Sequence, residues 1–340
     1  MEVGTDRMRI AIVGLGLIGG SFAHALRGFR SCARAGFDID GGTAAAALAA
    51  GAIDEKARCV EDAVRGADIA LFCTTSDAAL KNARRCADAG VFKSGAVAVE
   101  ICGVKRGIAG AMPQALPDGV RYVGLHPMAG KEVGGFRNAT PELFWGAGFI
   151  IIEPDVGASG SGDAAGSSGN GCDGGASSGS GDATGSSGNG CGSRDWDASD
   201  AASFRDAASL VEEMCRHVGA RRICRNSAAD HDRIIAYTSG LMHVAASALC
   251  GRLPAGMSMA HAGGAFRDCT RVADIDADLW TGLLAQNADC ILPHLDTYIG
   301  QLTSFRDALA RGDGAAVHRL LAAGRDNKAR MRAQTDGGMA

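Results

Sequence analysis

The chain has no surplus of basic residues. Lys and Arg number 34 against 38 Asp and Glu, a formal net charge of -4. That removes the positive field with which proteins gather nucleic acid or an anionic membrane surface. No apolar run approaches the ~18 residues that a membrane-spanning helix needs. The opening stretch Met1-Glu2-Val3-Gly4-Thr5-Asp6-Arg7 is polar and lacks the apolar segment of a secretion signal. A cytoplasmic protein is expected. Cysteines number 12, yet none form a Cys-x-x-Cys pair. The ligand spacings of zinc and iron-sulfur sites are therefore missing, and reduced, mostly buried thiols with no metal are expected.

What remains is an ordinary globular composition, 340 residues with 46% hydrophobic and 21% charged side chains, long enough for two domains. Arg9-Ile10-Ala11-Ile12-Val13 reads as a buried strand that enters the glycine turn Gly14-Leu15-Gly16-Leu17-Ile18-Gly19-Gly20-Ser21 and then a helical pattern from Phe22. Apolar runs at 69–73, 96–99, 120–125 and 149–152 alternate with helix-like stretches, as in a parallel α/β sheet. Residues 157 to 193 are almost entirely Gly, Ser, Asp, Ala and Asn, and Gly160–Cys172 recurs at Gly179–Cys191 with one change. Such a segment has little apolar surface to offset the entropy of ordering, so a flexible surface excursion is expected there. Ala201 to His217 is helical in period, Arg221–Cys224 reads as a last short strand, and 228–250, 279–311 and 313–332 are long helical stretches. The expected organisation is a Rossmann-type α/β domain over 1–226, carrying the 157–193 insertion, followed by an all-α domain over 227–335. The apolar stretch Leu241–Leu249 belongs either at the centre of the second domain or in a dimer contact.

Gly14-x-Gly16-x-x-Gly19 has strand before it, helix after it, and Asp38 at the end of the next strand, 19 positions beyond the last glycine. The first glycine permits the tight turn, the second lets backbone approach a pyrophosphate, and the third lets helix pack on strand. Asp38 would accept hydrogen bonds from the adenosine ribose and repel a 2′-phosphate, favouring NAD over NADP; Asp40 could do the same. The candidate cofactor contacts are Gly14, Gly16, Leu17, Ile18, Gly19, Asp38 and Thr74. About 110 residues downstream of the loop, His126-Pro127-Met128-Ala129-Gly130 closes an apolar stretch. A histidine that takes a hydroxyl proton while a nicotinamide takes a hydride is the minimum apparatus for oxidising an alcohol carbon.

With Gly36-Phe37-Asp38-Ile39-Asp40, His126-Pro127-Met128-Ala129-Gly130-x-Glu132 and Phe266-Arg267-Asp268-x-Thr270-Arg271, the glycine loop resembles the prephenate/arogenate dehydrogenases of tyrosine biosynthesis, from about residue 9 to 330. The resemblance implies a dinucleotide domain, an all-helical dimerisation domain, a homodimer and an active site in the cleft between the domains. It makes His126 the base that draws the proton from the ring hydroxyl as hydride leaves for NAD; loss of a carboxylate as carbon dioxide then aromatises the ring. An ordinary histidine pKa of about 6.5 already supplies neutral imidazole at pH 7. Arg271 matches the arginine that holds a substrate carboxylate, for which a bidentate fork suits. Ser239, His243 and His231 match further substrate contacts and Trp280 an aromatic lining the pocket. Glu132 could gate the cleft or favour a substrate amine.

Two positions depart from the family pattern. Cys102-Gly103-Val104-Lys105 stands where a Gly-Ser-Val-Lys turn is usual, so the serine is absent. Ser239-Gly240-Leu241-Met242-His243 lacks the first histidine of a Ser-His-Leu-Pro-His run. Prephenate is the expected substrate, with arogenate the alternative. Another enzyme on the same two-domain plan, a 3-hydroxyacid or imine oxidoreductase, would normally carry a catalytic lysine on its helical domain, and this chain has no lysine between Lys131 and Lys328. A catalytically inactive NAD-binding regulatory protein is the reading from another class, against which the presence of His126 and Arg271 speaks.

Overall fold

The computed structural model describes residues 7–131, 133–154 and 198–336; Glu132 and the repeat-bearing 157–193 segment lie outside them. The chain divides into two compact units, Met1–Ala229 and Asp230–Ala340.

The first unit is built on an eight-stranded sheet in the order β3-β2-β1-β4-β5-β6-β7-β8. Its strands are β1 (Arg9–Val13), β2 (Ala33–Phe37), β3 (Glu55–Lys56), β4 (Ile69–Phe72), β5 (Val97–Glu100), β6 (Arg121–Pro127), β7 (Gly148–Glu153) and β8 (Arg222–Ser227). Six helices accompany them: α1 (Leu17–Ala25), α2 (Gly41–Ala49), α3 (Val60–Val64), α4 (Ser76–Asp88), α5 (Arg106–Ala115) and α6 (Ala198–His217). Strands β1, β4, β5 and β7 read as largely apolar runs because both faces are covered. Ile10, Ile12 and Leu71 pack with Phe22 of α1, Ala47 of α2 and Val211 of α6, whereas Ala11, Val13, Ala70 and Phe72 pack with Val60 of α3, Ala83 of α4 and Met112 of α5. Alternate residues thus serve opposite layers.

The sheet is not wholly parallel. β6 and β7 run antiparallel, Leu125 opposite Ile151 and His126 opposite Ile150, while β7 and β8 are parallel. The described residues of 128–147 form short 3-10 turns at Phe136–Asn138 and Pro141–Phe144 in place of an α-helix. A chain that returns without a crossover helix pairs antiparallel. β8 follows α6, the crossover that restores parallel order.

The second unit is helical. α7 (Ala228–Ile235) continues through a π turn, Ala236–Gly240, into α8 (Leu241–Cys250); α9 (Gly264–Thr270), α10 (Ala277–Gln286), α11 (Ala288–Ala310) and α12 (Gly314–Asp336) follow. The expected helix 279–311 is interrupted. Asn287 has φ -120 and ψ 20 between α10 and α11, and its buried side chain donates to the Asp232 carbonyl at 2.8 Å. That bond holds a residue with non-helical dihedrals where periodicity alone runs on. Of the apolar 241–249 stretch, Leu241 and Ala246 are buried while Met242 and Leu249 are exposed. Leu292, Ile299, Leu302 and Leu309 of α11 are also exposed, at spacings that place them along one helix face. No helix among the described residues is long and apolar enough to cross a membrane.

Candidate active site

In the sheet, β1 leads to β2 on one side, and after β3 the chain crosses to β4 on the other side of β1. Ligands of such sheets bind outside the carboxyl ends of the strands at this reversal. The glycine loop, Cys73-Thr74, the 101–104 turn and His126 all follow or end strands at that one edge.

The glycines divide by role. Gly14 has φ +90, and a Cβ there would lie 2.6 Å from the Cys73 carbonyl oxygen and 2.7 Å from Thr74 Cγ2. A Cβ on Gly19 would fall 1.9 Å from the Gly14 carbonyl oxygen, so that position closes the helix onto the turn. A Cβ on Gly16 would meet nothing within 4 Å. Gly16 is also the N-cap of α1, with no capping side chain and no acidic residue in the first turn. The amides that open α1, at Leu17, Ile18 and Gly19, therefore face a position where a pyrophosphate can approach, at the positive end of the helix dipole. The residues present fit a dinucleotide.

The two aspartates after β2 are no longer equivalent. Asp40 caps α2, accepting from the Gly42 and Thr43 amides and the Thr43 hydroxyl; these bonds, the hydroxyl's first, hold its carboxyl below the usual range. Asp38 accepts from the Leu15 amide at 2.7 Å and the Asp40 amide at 2.9 Å, which ties this acid to the glycine loop. Asp38 keeps acceptor capacity on each oxygen, so it rather than Asp40 is the candidate ribose ligand.

His126 is half-buried near the end of β6. The turn that lacks the usual serine is held from below. The Cys102 amide donates to Glu100 Oε2 at 2.7 Å, and the Cys102 thiol lies 3.6 Å from the Thr74 carbonyl oxygen. Burial, then the neighbouring Glu100 charge, pushes that thiol up to about 12, so it is a proton donor and no nucleophile. Sequence reasoning missed the group beside it. Lys105 and Glu100 are both 0% exposed and 2.6 Å apart, and Tyr122 joins them. The available signal was a carboxylate closing the otherwise apolar, fully buried run Val97-Ala98-Val99-Glu100.

In the second unit, His243 Nδ1 lies 2.9 Å from the Ser239 carbonyl oxygen one turn earlier. Its ring stacks on Trp280, with centroids 3.5 Å apart at 26°. Burial pushes the His243 pKa down, against a smaller opposing effect of the Ser239 bond. The structure thus brings Ser239, His243 and Trp280 together. Arg271 is exposed where α9 ends, in the 3-10 turn Arg271–Ala273 that packs against α8. His231 is wholly buried, its Nδ1 2.8 Å from Asp232 Oδ1. Gly240, where the family pattern has histidine, presses on α11: a Cβ there would lie 2.9 Å from Ile291 Cδ1.

Comparison with known proteins matches residues 22–156 to the prephenate dehydrogenase nucleotide-binding domain and residues 227–323 to the prephenate dehydrogenase dimerization domain. The chain belongs to the prephenate dehydrogenase family. Its two halves are the family's nucleotide-binding and dimerization domains, and it is an oxidoreductase. Among relatives, a cyclohexadienyl dehydrogenase from Zymomonas mobilis is 29% identical over 315 residues, covering 90% of this chain and 89% of that protein. A prephenate dehydrogenase from Bacillus subtilis is 24% identical, covering 93% and 74%. Among solved structures, the fold matches a prephenate dehydrogenase from Aquifex aeolicus in complex with hydroxyphenyl propionate and NAD+, at a TM-score of 0.71 and 21% identity, over 96% of this chain and 99% of that one. A Synechocystis arogenate dehydrogenase matches at a TM-score of 0.66 and 23% identity, over 95% and 100%.

Proposed function

We propose that the protein catalyses the NAD-dependent oxidative decarboxylation of prephenate to 4-hydroxyphenylpyruvate. The observation that carries the reading is the position of His126 at the same sheet edge as the open Gly16 loop. Bound NAD supplies the hydride acceptor. Gly14, Gly16, Leu17, Ile18 and Gly19 would hold its pyrophosphate, with Asp38 on the ribose and Thr74 at the end of the neighbouring strand.

His126 accepts the proton of the ring hydroxyl as the carbon beneath it is oxidised, and carbon dioxide leaves as the ring becomes aromatic. Arg271 holds a substrate carboxylate through its fork. His243 and Ser239 supply further polar contacts, and Trp280 contributes an apolar face; His231, expected among these contacts, is wholly buried against Asp232 and does not reach a substrate. Glu132, outside the described residues, is the remaining candidate for selection at the side chain. A second reading, arogenate as substrate, is supported by the similarity over nine-tenths of the chain to a cyclohexadienyl dehydrogenase. We also infer a homodimer, supported by the dimerization-domain match and the exposed apolar face of α11.

The test is NADH formation with NAD and prephenate or arogenate, read as two values of kcat/KM. A preference for prephenate is expected, and preference for arogenate would overturn the substrate but not the mechanism. His126→Asn should abolish turnover while leaving NAD affinity unchanged. Absence of turnover in the unaltered protein with either compound would favour the regulatory reading.

A further inference from the structure

β5 ends at Glu100, which pairs with Gly124, so β6 runs three residues further without a β5 neighbour. Met128 bonds the β7 side through its amide and the Gly148 carbonyl. By the alternation of strand backbone, Leu125 therefore faces the side from which β5 has gone. A buried carbonyl left there would cost the full desolvation of an unmade hydrogen bond. Lys105, the N-cap of α5, replaces the missing strand: its Nζ donates to the Leu125 carbonyl oxygen at 2.9 Å. The same ammonium lies 2.6 Å from Glu100 Oε1, which also accepts from the Tyr122 hydroxyl at 2.9 Å, while Oε2 takes the Cys102 amide at 2.7 Å. Gly124 leaves room for this junction, since a Cβ there would lie 2.9 Å from the Tyr122 hydroxyl oxygen and 3.0 Å from Glu100 Oε1.

A buried ion pair is a poor way to gain stability, because desolvating both charges offsets most of their attraction, and apolar replacements of like volume are often as stable. What this pair does supply is geometry. One carboxylate and one ammonium fix the carbonyl just before His126, the amide that opens the 101–104 turn, and the Tyr122 side chain two strand positions below Gly124. Lys105 and Glu100 have no exposed surface, so neither touches a substrate. Burial and the adjacent Glu100 charge push the Tyr122 hydroxyl well above its usual range, which keeps it a donor.

We propose that Glu100, Lys105 and Tyr122 form a positioning network that holds His126 and the 101–104 turn as one rigid edge, doing the orienting that a serine at Gly103 would otherwise share. This rests on the reading of His126 as the proton acceptor. Two variants test it. Tyr122→Phe removes only the hydroxyl. Glu100→Gln with Lys105→Met removes both charges together, so that neither is left buried alone.

The expected result is a fall in kcat of about tenfold for Tyr122→Phe and about a hundredfold for the double variant, with both KM values within about threefold, as for a base displaced by a fraction of an ångström. The imidazole nitrogen resonances of His126, assigned by their loss in His126→Asn, should move in both variants. Unchanged His126 resonances and unchanged kcat, with only the unfolding midpoint lowered, would overturn the proposal and leave a purely structural cluster. If the unaltered protein turns over neither prephenate nor arogenate, the functional reading fails by that fact. The His126 resonances then decide the positioning network alone: movement supports it, and no movement sinks it.

Discussion

His243 Nδ1 lies 2.9 Å from the carbonyl oxygen of Ser239, and a carbonyl can only accept. Nδ1 therefore carries the proton, and in the neutral ring Nε2 is left as an acceptor. Burial lowers the pKa of this ring, so the folded protein favours the neutral form. In the unfolded chain the ring titrates at about 6.5. Between the lowered folded value and that figure, the unfolded state binds a proton that the folded state does not, so stability rises with pH there. The stability is present in full above the unfolded pKa and is lost as pH falls through the window. His24, whose pKa is lowered by burial and by Arg27 and Arg34, acts with the same sign. Urea midpoints between neutral and mildly acidic pH should decline, and His243→Gln should flatten the decline; an unchanged slope would sink the assignment.

Gly16 and Gly19 separate binding from folding. Gly16→Ala places its methyl in open space, whereas in Gly19→Ala it would fall 1.9 Å from the Gly14 carbonyl. Gly16→Ala should keep its unfolding temperature within about 2 °C while NAD affinity falls by about tenfold or more, since backbone approach to the pyrophosphate is blocked. Gly19→Ala should fail to yield stable folded protein. Calorimetry and NAD titration of the pair check both statements.

Asp38→Asn keeps an oxygen for the Leu15 amide but removes the charge. We expect the KM for NAD to rise by about tenfold, and discrimination against NADP to narrow, because the repulsion of a 2′-phosphate is gone. Asp38→Ala should also lose stability by leaving that amide unpaired. Equal NAD and NADP kinetics before and after the Asn change would remove Asp38 from the cofactor site.

Gly240→Ala sets two effects against each other. Helix propensity favours Ala by about 1 kcal/mol, but the new Cβ would lie 2.9 Å from Ile291 Cδ1, and overpacking typically costs about 1–3 kcal/mol. Net destabilisation is expected. Ile291→Val, which deletes that methyl, should restore much of the loss when combined with Gly240→Ala, and thermal denaturation of the double variant reads it directly.

Much of the candidate site's placement is legible in the residues because short-range patterns specify it: the glycine turn between β1 and α1, Asp38 after β2, and His126 closing β6. What escaped depends on contacts distant in sequence. Nothing near Asn287 announces the break between α10 and α11, which is fixed by its bond to the Asp232 carbonyl 55 residues away. The reversal of β7 goes with the two 3-10 turns at Phe136–Asn138 and Pro141–Phe144, there being no α-helix among the described residues of 128–147. Lys105 looks like any surface lysine until β6 is seen to outrun β5.

The π turn at Ala236–Gly240 is in effect one extra residue in an otherwise regular helix. Twelve residues at about 100° each would leave His231 and His243 roughly 120° apart around a straight α-helix, whereas one surplus residue takes up about 100° of that and brings them to about 20°. The helix keeps two histidines in phase by miscounting between them. Its tolerance to deletion is therefore uneven: a residue lost within 236–240 would heal the hydrogen-bond ladder and leave His231 and His243 about 20° apart as before, whereas a residue lost from the regular turns on either side would swing them about 100° out of phase.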